Sequence, residues 1–504
     1  IAEEQHAHGH AEKIARTSEN VVMLSNATYS TCPPEQKPTW KIQADSIELN
    51  QETGRGVTKG TKLYVKDVPV LAVPYFNFPI DDRRTTGILT PGFGYTNDGG
   101  IEFSVPVYLN LAPNYDATLT PRYMSDRGAM IDAEFRYLTE NFGEGKIWGG
   151  YLPSDESYEN QDRKDLHVIH KWQINDSFST NLEYNYASDK DYFTDLNNNP
   201  NTKTDLNLRR AWELNYKNGI PGLTAQLKVE DFQTLDKSVS DEKRPYARLP
   251  QFLLTYKGGN PQGFQYEFNN DTAYFKKNIG STSSATSEPS GTRIYNDFAV
   301  RYNYRNPWSF VIPEVSVRSI NTFYDQDTIT AQQSQTTSVS SDQNKSVVVP
   351  QFSLDTGLTF EKDGKYLQTI TPRAFYAYAP YENQSDYPNF DTISASINYD
   401  QLFSSKRFYG HDRLEDNNFL SLGVSYSLFD DIGLERLKAS VGQSFYFDDR
   451  RVTLDGTTDE LNTESHTGPI VSLSSQLSEH YRLSANSAWM ANGDNAQDRK
   501  STRL

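Results

Sequence analysis

Residues 83–110 read RRTTGILTPGFGYTNDGGIEFSVPVYLN, and this stretch decides the fold. Its centre, Asn97-Asp98-Gly99-Gly100, is a turn signal, so the flanking runs form a hairpin. In the second run Ile101, Phe103, Val105, Val107 and Leu109 share one face, and Glu102, Ser104, Pro106, Tyr108 and Asn110 the other. A strict period of two predicts a strand with one apolar face. Each run carries a proline, Pro91 and Pro106. Proline gives no hydrogen bond to a ladder, so both belong where pairing is weak. The sequence differs in character on the two sides of this hairpin, which makes it a domain boundary as well.

Downstream, from Leu89 onward, runs of about ten residues alternate apolar with small or polar. The clearest example has Leu420, Leu422, Val424, Tyr426 and Leu428 against Ser421, Gly423, Ser425 and Ser427. One face suits lipid and the other water, the inside-out pattern of a transmembrane β-barrel. Short connections alternate with long polar ones, as between two sides of a membrane. Keeping that parity requires residues 380–418 to be one long loop, although residues 393–399 imitate a strand; a loop of that length suggests a plug folded into the lumen. The count gives about nineteen barrel strands. An odd strand followed by a polar tail leaves an open edge, so the reading expects closing strands beyond the given C-terminus. The N-terminus, beginning at Ile1 with no signal peptide, reads as processed or trimmed.

Upstream, Trp40, Ile42 and Ala44 alternate with Lys41, Gln43 and Asp45, and Leu63 and Val65 with Lys62, Tyr64 and Lys66. These short strands predict part of a small β-sandwich or roll, whose apolar face is either simple core or a seat for acyl chains. The domains expected are thus residues 1–86, part of that roll, and residues 87–504, an incomplete barrel; the resemblance described below implies that the first is the C-terminal part of a β-jellyroll.

Composition agrees. The 504 residues include 32 Tyr and 26 Phe, too many aromatics for a disordered chain despite low mean hydropathy. No run reaches the roughly 20 apolar residues a transmembrane helix needs, so any crossing is by a barrel. A net charge of −17 disfavours nucleic acid as a partner. The single cysteine, Cys32, has no partner within the sequence. His6, His8 and His10 alternate, but no Cys, Asp or Glu completes a metal site, and a solvated terminus is the reading. No metal, cofactor or catalytic constellation is expected: no Ser-His-Asp spacing and no glycine-rich phosphate loop stands out.

Several long stretches carry a resemblance. Thr31-Cys32-Pro33, VPVLAVPYFNFPIDDRRTTGILTP, APNYDATLTPRYMSDRG, EFRYL, YLPSD, LQTITPRAFYAYAPY and VGQSFYFDDRR, spread over residues 30–450, resemble the LptD family of lipopolysaccharide-assembly outer-membrane proteins. The resemblance implies a translocon, not an enzyme. In it, a periplasmic β-jellyroll receives lipopolysaccharide from a bridge protein, and a barrel of 26 strands, plugged by the lipoprotein LptE, releases it into the outer leaflet through a lateral gate between its first and last strands. It places Pro91 and Pro106 at that gate. Trp40, Ile42, Leu63 and Val65 then belong to the lipid-binding roll. Tyr409, Gly410, Asp412 and Arg413 fall in the long loop that faces the plug. Cys32 matches a cysteine bonded, in the family, to one near the C-terminus; an earlier family cysteine is missing here. The competing reading is a porin-like or nutrient-uptake barrel, which would have an open lumen and no lipid-binding roll.

Overall fold

A computed structural model describes residues 8–30, 39–81, 83–196, 207–240, 243–277, 289–325, 344–454, 456, 460–478, 480–489 and 497–503. Cys32 and His6 lie outside these. The fold class is all-β, as the alternation predicts: a small antiparallel sheet, then a large antiparallel sheet of barrel type whose neighbouring strands follow one another in chain order. No helix among the described residues is long and apolar enough to cross a membrane. The chain divides into two compact units. One comprises Ile1–Glu140, Glu144–Val168 and Ala187–Pro200; the other comprises Asn141–Gly143, Ile169–Tyr186 and Asn201–Leu504.

In the first unit, five strands form a meander: β1 (His8–Ser18), β2 (Val21–Ser30), β3 (Trp40–Asn50), β4 (Arg55–Val65) and β5 (Val68–Pro79). β4 and β5 are joined by Lys66 and Asp67, both at positive φ (48° and 64°), the two-residue turn whose twist matches that of paired strands. Ala27, Ala44 and Ile47 are buried at the centre, with Leu24, Leu49 and Phe78 packed around them. Alanines at the centre keep that side thin, so larger side chains occupy the margins.

The hairpin follows as four pieces rather than two strands: β6 (Gly87–Ile88), β7 (Gly92–Thr96), β8 (Gly100–Ser104) and β9 (Val107–Ala112). Its second half lies against β10 (Tyr115–Met124), which pairs in turn with β11 (Gly128–Thr139). Ile101 and Phe103 are exposed while Glu102 is buried, so the apolar face points outward, as the barrel pattern requires.

In the second unit, strands succeed one another antiparallel from Asn207–Tyr216 to Gln497–Arg503. In Asn417–Phe429, Leu422 and Val424 are exposed and Ser421 is fully buried, which again puts the apolar residues outside. Leu367–Ala379 pairs directly with Asn417–Phe429, Ala379 opposite Asn417. Residues 380–416 are therefore one loop between neighbouring strands. The strand-like residues 393–399 supply only the two-residue piece Ile393–Ser394, paired with Phe408–Tyr409. At the C-terminal end, the sequence pattern puts a polar tail where the structure has a strand. Gln497–Arg503 pairs with Arg482–Ala488, one strand beyond the expected series. Ladder bonds are made by backbone, so a strand without apolar alternation escapes a pattern search.

Candidate functional site

Three places gather the residues singled out by sequence. The first is the β3–β4 ladder. Trp40 stands opposite Val65 and Ile42 opposite Leu63. Directly paired residues share a face, so all four form one patch, with Tyr29 beside it at 6.2 Å from the Trp40 ring. Val65 is 40% exposed and its neighbour Val68 59%. This is an apolar margin on a small sheet, of the kind that can hold an alkyl chain.

The second is the hairpin. Pro91 and Pro106 lie in the same break. The ladder runs from Gly87–Tyr108 to Ile88–Val107, stops, and resumes at Gly92–Ser104. Between those points three residues, 89–91, face two, 105–106. The extra residue is a bulge, and it flips the phase of the first strand: Ile88 stands opposite Val107 and Phe93, five positions on, opposite Phe103, four positions back. The break is crossed by the Leu89 N–H donating to Pro106 O at 2.8 Å. Pro106 has no N–H with which to return a second bond. Each such loss costs about 0.5–1.5 kcal/mol net in water, and more where lipid offers no replacement.

The two halves of the hairpin are fastened separately. At the outer end Arg122 pairs with Glu102, Arg127 donates to Asp98 O at 2.6 Å and the Ile101 N–H to Ser125 Oγ at 3.0 Å. At the base Asp116 collects Arg84 and Arg136, each at 2.8 Å, and the Tyr108 hydroxyl at 3.0 Å. The Asn110 N–H donates to Thr86 Oγ1 at 2.9 Å.

The third place is the loop of residues 380–416, folded against the polar face of the second unit. Arg293, fully buried on the strand Gly291–Tyr302, reaches Asp391 and Asp412 at 2.6 Å and Asp271 at 3.2 Å. Arg248 joins Asp391 at 3.0 Å. Arg318 pairs with Glu415. His411 stacks on Tyr295 at 3.9 Å and contacts Asp271 at 3.0 Å. Phe390 stacks on Phe275 at 4.5 Å. Burial works against the Asp391 carboxylate, but Arg293 and Arg248 outweigh it and hold its pKa at about 2. Burial likewise opposes ionised Glu415, and Arg318 keeps it below the usual range.

Of the four loop residues expected from sequence, three build the loop itself. Asp412 accepts the backbone N–H groups of Phe390 and Asp391 at 2.9 Å and of Thr392 at 3.1 Å. Arg413 donates to the carbonyls of Tyr387, Pro388 and Leu454 at 2.8 Å and of Thr453 at 3.0 Å. Gly410 has φ +108°, and a Cβ there would sit 2.5 Å from Thr392 Oγ1, so only glycine fits. Tyr409 alone is open, at 56% exposure.

Sequence reasoning does not single out Arg293, Asp391 or Gly442, and it takes Gly423 only as part of a polar face; Gly423 and Gly442 matter for packing. These glycines are cross-strand partners. A Cβ on Gly423 would meet Phe403 at 2.8 Å, and one on Gly442 would meet Leu402 at 2.8 Å. The small residues of Asn417–Phe429 thus form a seat for the turn at Tyr399–Phe403. Their run of Ser and Gly was the available signal, and it was read as a wet face. Among the described residues no group of His, Cys, Asp and Glu could hold a metal ion.

A family model described as LptD, LPS transport system D, matches residues 161–502. The chain is 73% identical over 498 residues to the LPS-assembly protein LptD of Acinetobacter baylyi, covering 99% of this chain and 60% of that protein. It is 74% identical over 497 residues to the protein of the same name from Acinetobacter baumannii, again covering 99% and 60%. With that of Psychrobacter cryohalolentis it shares 41% over 491 residues, 94% of this chain and 48% of the other. The chain therefore spans 60% or less of the length of these relatives.

Proposed function

The chain belongs to the LptD family, and on that premise we propose that it is the part of an outer-membrane translocon that takes lipopolysaccharide from the periplasm and releases it sideways into the outer leaflet. The observation that carries the reading is the break at Pro91 and Pro106. A wall that must part has its weakest pairing in its first strand, beside the linker from the small sheet. In this reading residues 1–86 belong to a periplasmic roll, and Trp40, Ile42, Leu63 and Val65 hold the acyl chains. Residues 87–504 belong to the membrane barrel. The gate lies between its first and last strands, and no catalytic step is involved. The periplasmic bridge protein docks on the roll, and Cys32 forms a disulfide that ties roll to barrel. The folded loop of residues 380–416 narrows the lumen and offers Tyr409 to the plug lipoprotein LptE. Family membership disfavours the porin-like alternative.

The test is to give the seam its donors back, with Pro91→Val and Pro106→Val together in the full-length protein. Less newly made lipopolysaccharide should reach the surface, and cells should become sensitive to large antibiotics. Unchanged export with unchanged impermeability sinks the gate. Photo-crosslinkers at positions 63 and 65 should capture lipopolysaccharide in transporting cells; no adduct there removes the acyl-chain role of the roll.

A further inference from the structure

A third proline lies on the same line. Pro91, Pro106 and Pro121 are equally spaced in sequence, and the fold sets them at one level across three neighbouring strands. β10 pairs with β8 from Ser104–Arg122 outward and with β9 from Val107–Leu119 toward the base. Residues 105–106 and 120–121 fall in the gap. There the Val105 N–H donates to Pro121 O at 3.0 Å. The N–H and C=O of a strand residue point to the same side, and a hydrogen-bonded antiparallel pair exchanges two bonds. The N–H that Pro121 lacks would therefore have faced Val105. The Leu89–Pro106 pair is missing its second bond in the same way.

The line ends at β10. The ladder from β10 to β11 runs without a gap from Tyr115–Tyr137 to Met124–Gly128, with Pro121 opposite Ile131. On the hairpin side, the outer half is fastened to the strand end and turn at residues 122–127, and the base is fastened around Asp116. The weak line is the joint between two fastened blocks.

We propose that Pro121 is a third positioning residue of the gate, and that the base of the hairpin swings from β10 about this line once the Arg84 and Tyr108 contacts to Asp116 part, while the outer half stays fastened. The inference rests on the gate reading above and specifies how the gate moves. The base is contiguous with the linker from the small sheet, so the seam parts first at the end where lipid arrives.

Pro121→Val in the full-length protein restores the second Val105 bond. Export should fall as in the Pro91→Val, Pro106→Val protein. Backbone amide exchange at residues 107–109 should slow about fivefold, with that at residues 101–103 unchanged. Pro372→Val serves as the control and should leave both readouts alone. If Pro121→Val changes neither export nor exchange while the Pro91→Val, Pro106→Val protein is impaired, the third residue is wrong and the gate survives. If both proteins export normally, both readings fall. Should Pro121→Val fail to assemble, the unaltered protein decides. Amides 107–109 exchanging faster than amides 131–135 support the joint; equal rates overturn it.

Discussion

Prolines stand in mid-strand in both units, and they do different things. In the second unit Pro313 stands opposite Tyr302, in a gap of the ladder at residues 302–303. On its other side the ladder to Asn344–Leu358 runs through Pro313–Leu354 unbroken. Pro372 stands opposite Leu358, in a gap of the ladder at residues 358–359, and keeps an unbroken ladder to Asn417–Phe429 through Val424. Each of these prolines unpairs one neighbour and leans on the other. At the hairpin the losses fall in register, and the strand β8–β9 is interrupted on both flanks. A proline weakens a sheet locally; prolines at one level in adjacent strands make a line along which it can bend.

The second unit is further stiffened by its folded loop, and the largest expected effect tests that. Arg293→Met removes the cation shared by Asp271, Asp391 and Asp412. Removing one member of a buried ionic group costs about 3–5 kcal/mol, because the others stay buried without it. The loop should become cleavable by protease and the heat-induced gel shift should move to lower temperature. If neither changes, the contrast between a pinned unit and a hinged one fails.

Acid should loosen the same contacts more gently. The Asp391 pKa is depressed from 3.8 to about 2. Its contribution is complete above the unfolded value, and it is lost as pH falls from about 4 through 2, on the order of 2 kcal/mol. Protease sensitivity of residues 380–416 should rise over that window in the unaltered protein and rise less across it in Asp391→Asn, where only the remaining carboxylates titrate. A transition near neutral pH would assign the docking to some other group.

A smaller effect should come from the glycine seat. Gly423→Val drives a side chain into Phe403 and Tyr399, and overpacking of this kind costs about 1–3 kcal/mol. A fluorophore on Gln401→Cys should report a more exposed turn, with the ladders either side intact. Unchanged emission would mean that the turn rests elsewhere.

What the sequence disclosed follows from period and parity. Alternation gave the strands, the outward face of Ile101 and Phe103, and the apolar patch of Trp40, Ile42, Leu63 and Val65, because side-chain direction in a strand repeats every two residues. Parity of connections gave the long loop, which the Ala379–Asn417 pairing bears out. Long-range register was hidden. Nothing local in the sequence says that Arg293 meets Asp391 and Asp412, or that Gly423 and Gly442 on neighbouring strands cradle a turn. Nor does spacing alone reveal that three prolines align; the bulge at residues 89–91 helps set that level, and it appears only in the pairing.

The smallest effect is the one that most sharpens the comparison. Pro372→Val adds an N–H that faces Leu358 in the gap of the ladder, while the ladder to Asn417–Phe429 is already continuous. The new donor joins a strand fixed on its other side, so stability should move by no more than about 0.5 kcal/mol and export should not change. Pro121→Val makes the same chemical change in a strand whose other ladder is equally continuous. What differs is the neighbour: the gap beside Pro372 is backed by the unbroken ladder of Ser309–Tyr324 for most of its length, whereas the gap beside Pro121 opens onto a second gap at Pro106 and Pro91. A loss of export in Pro372→Val as large as in Pro121→Val would show that any wall proline matters and that alignment does not.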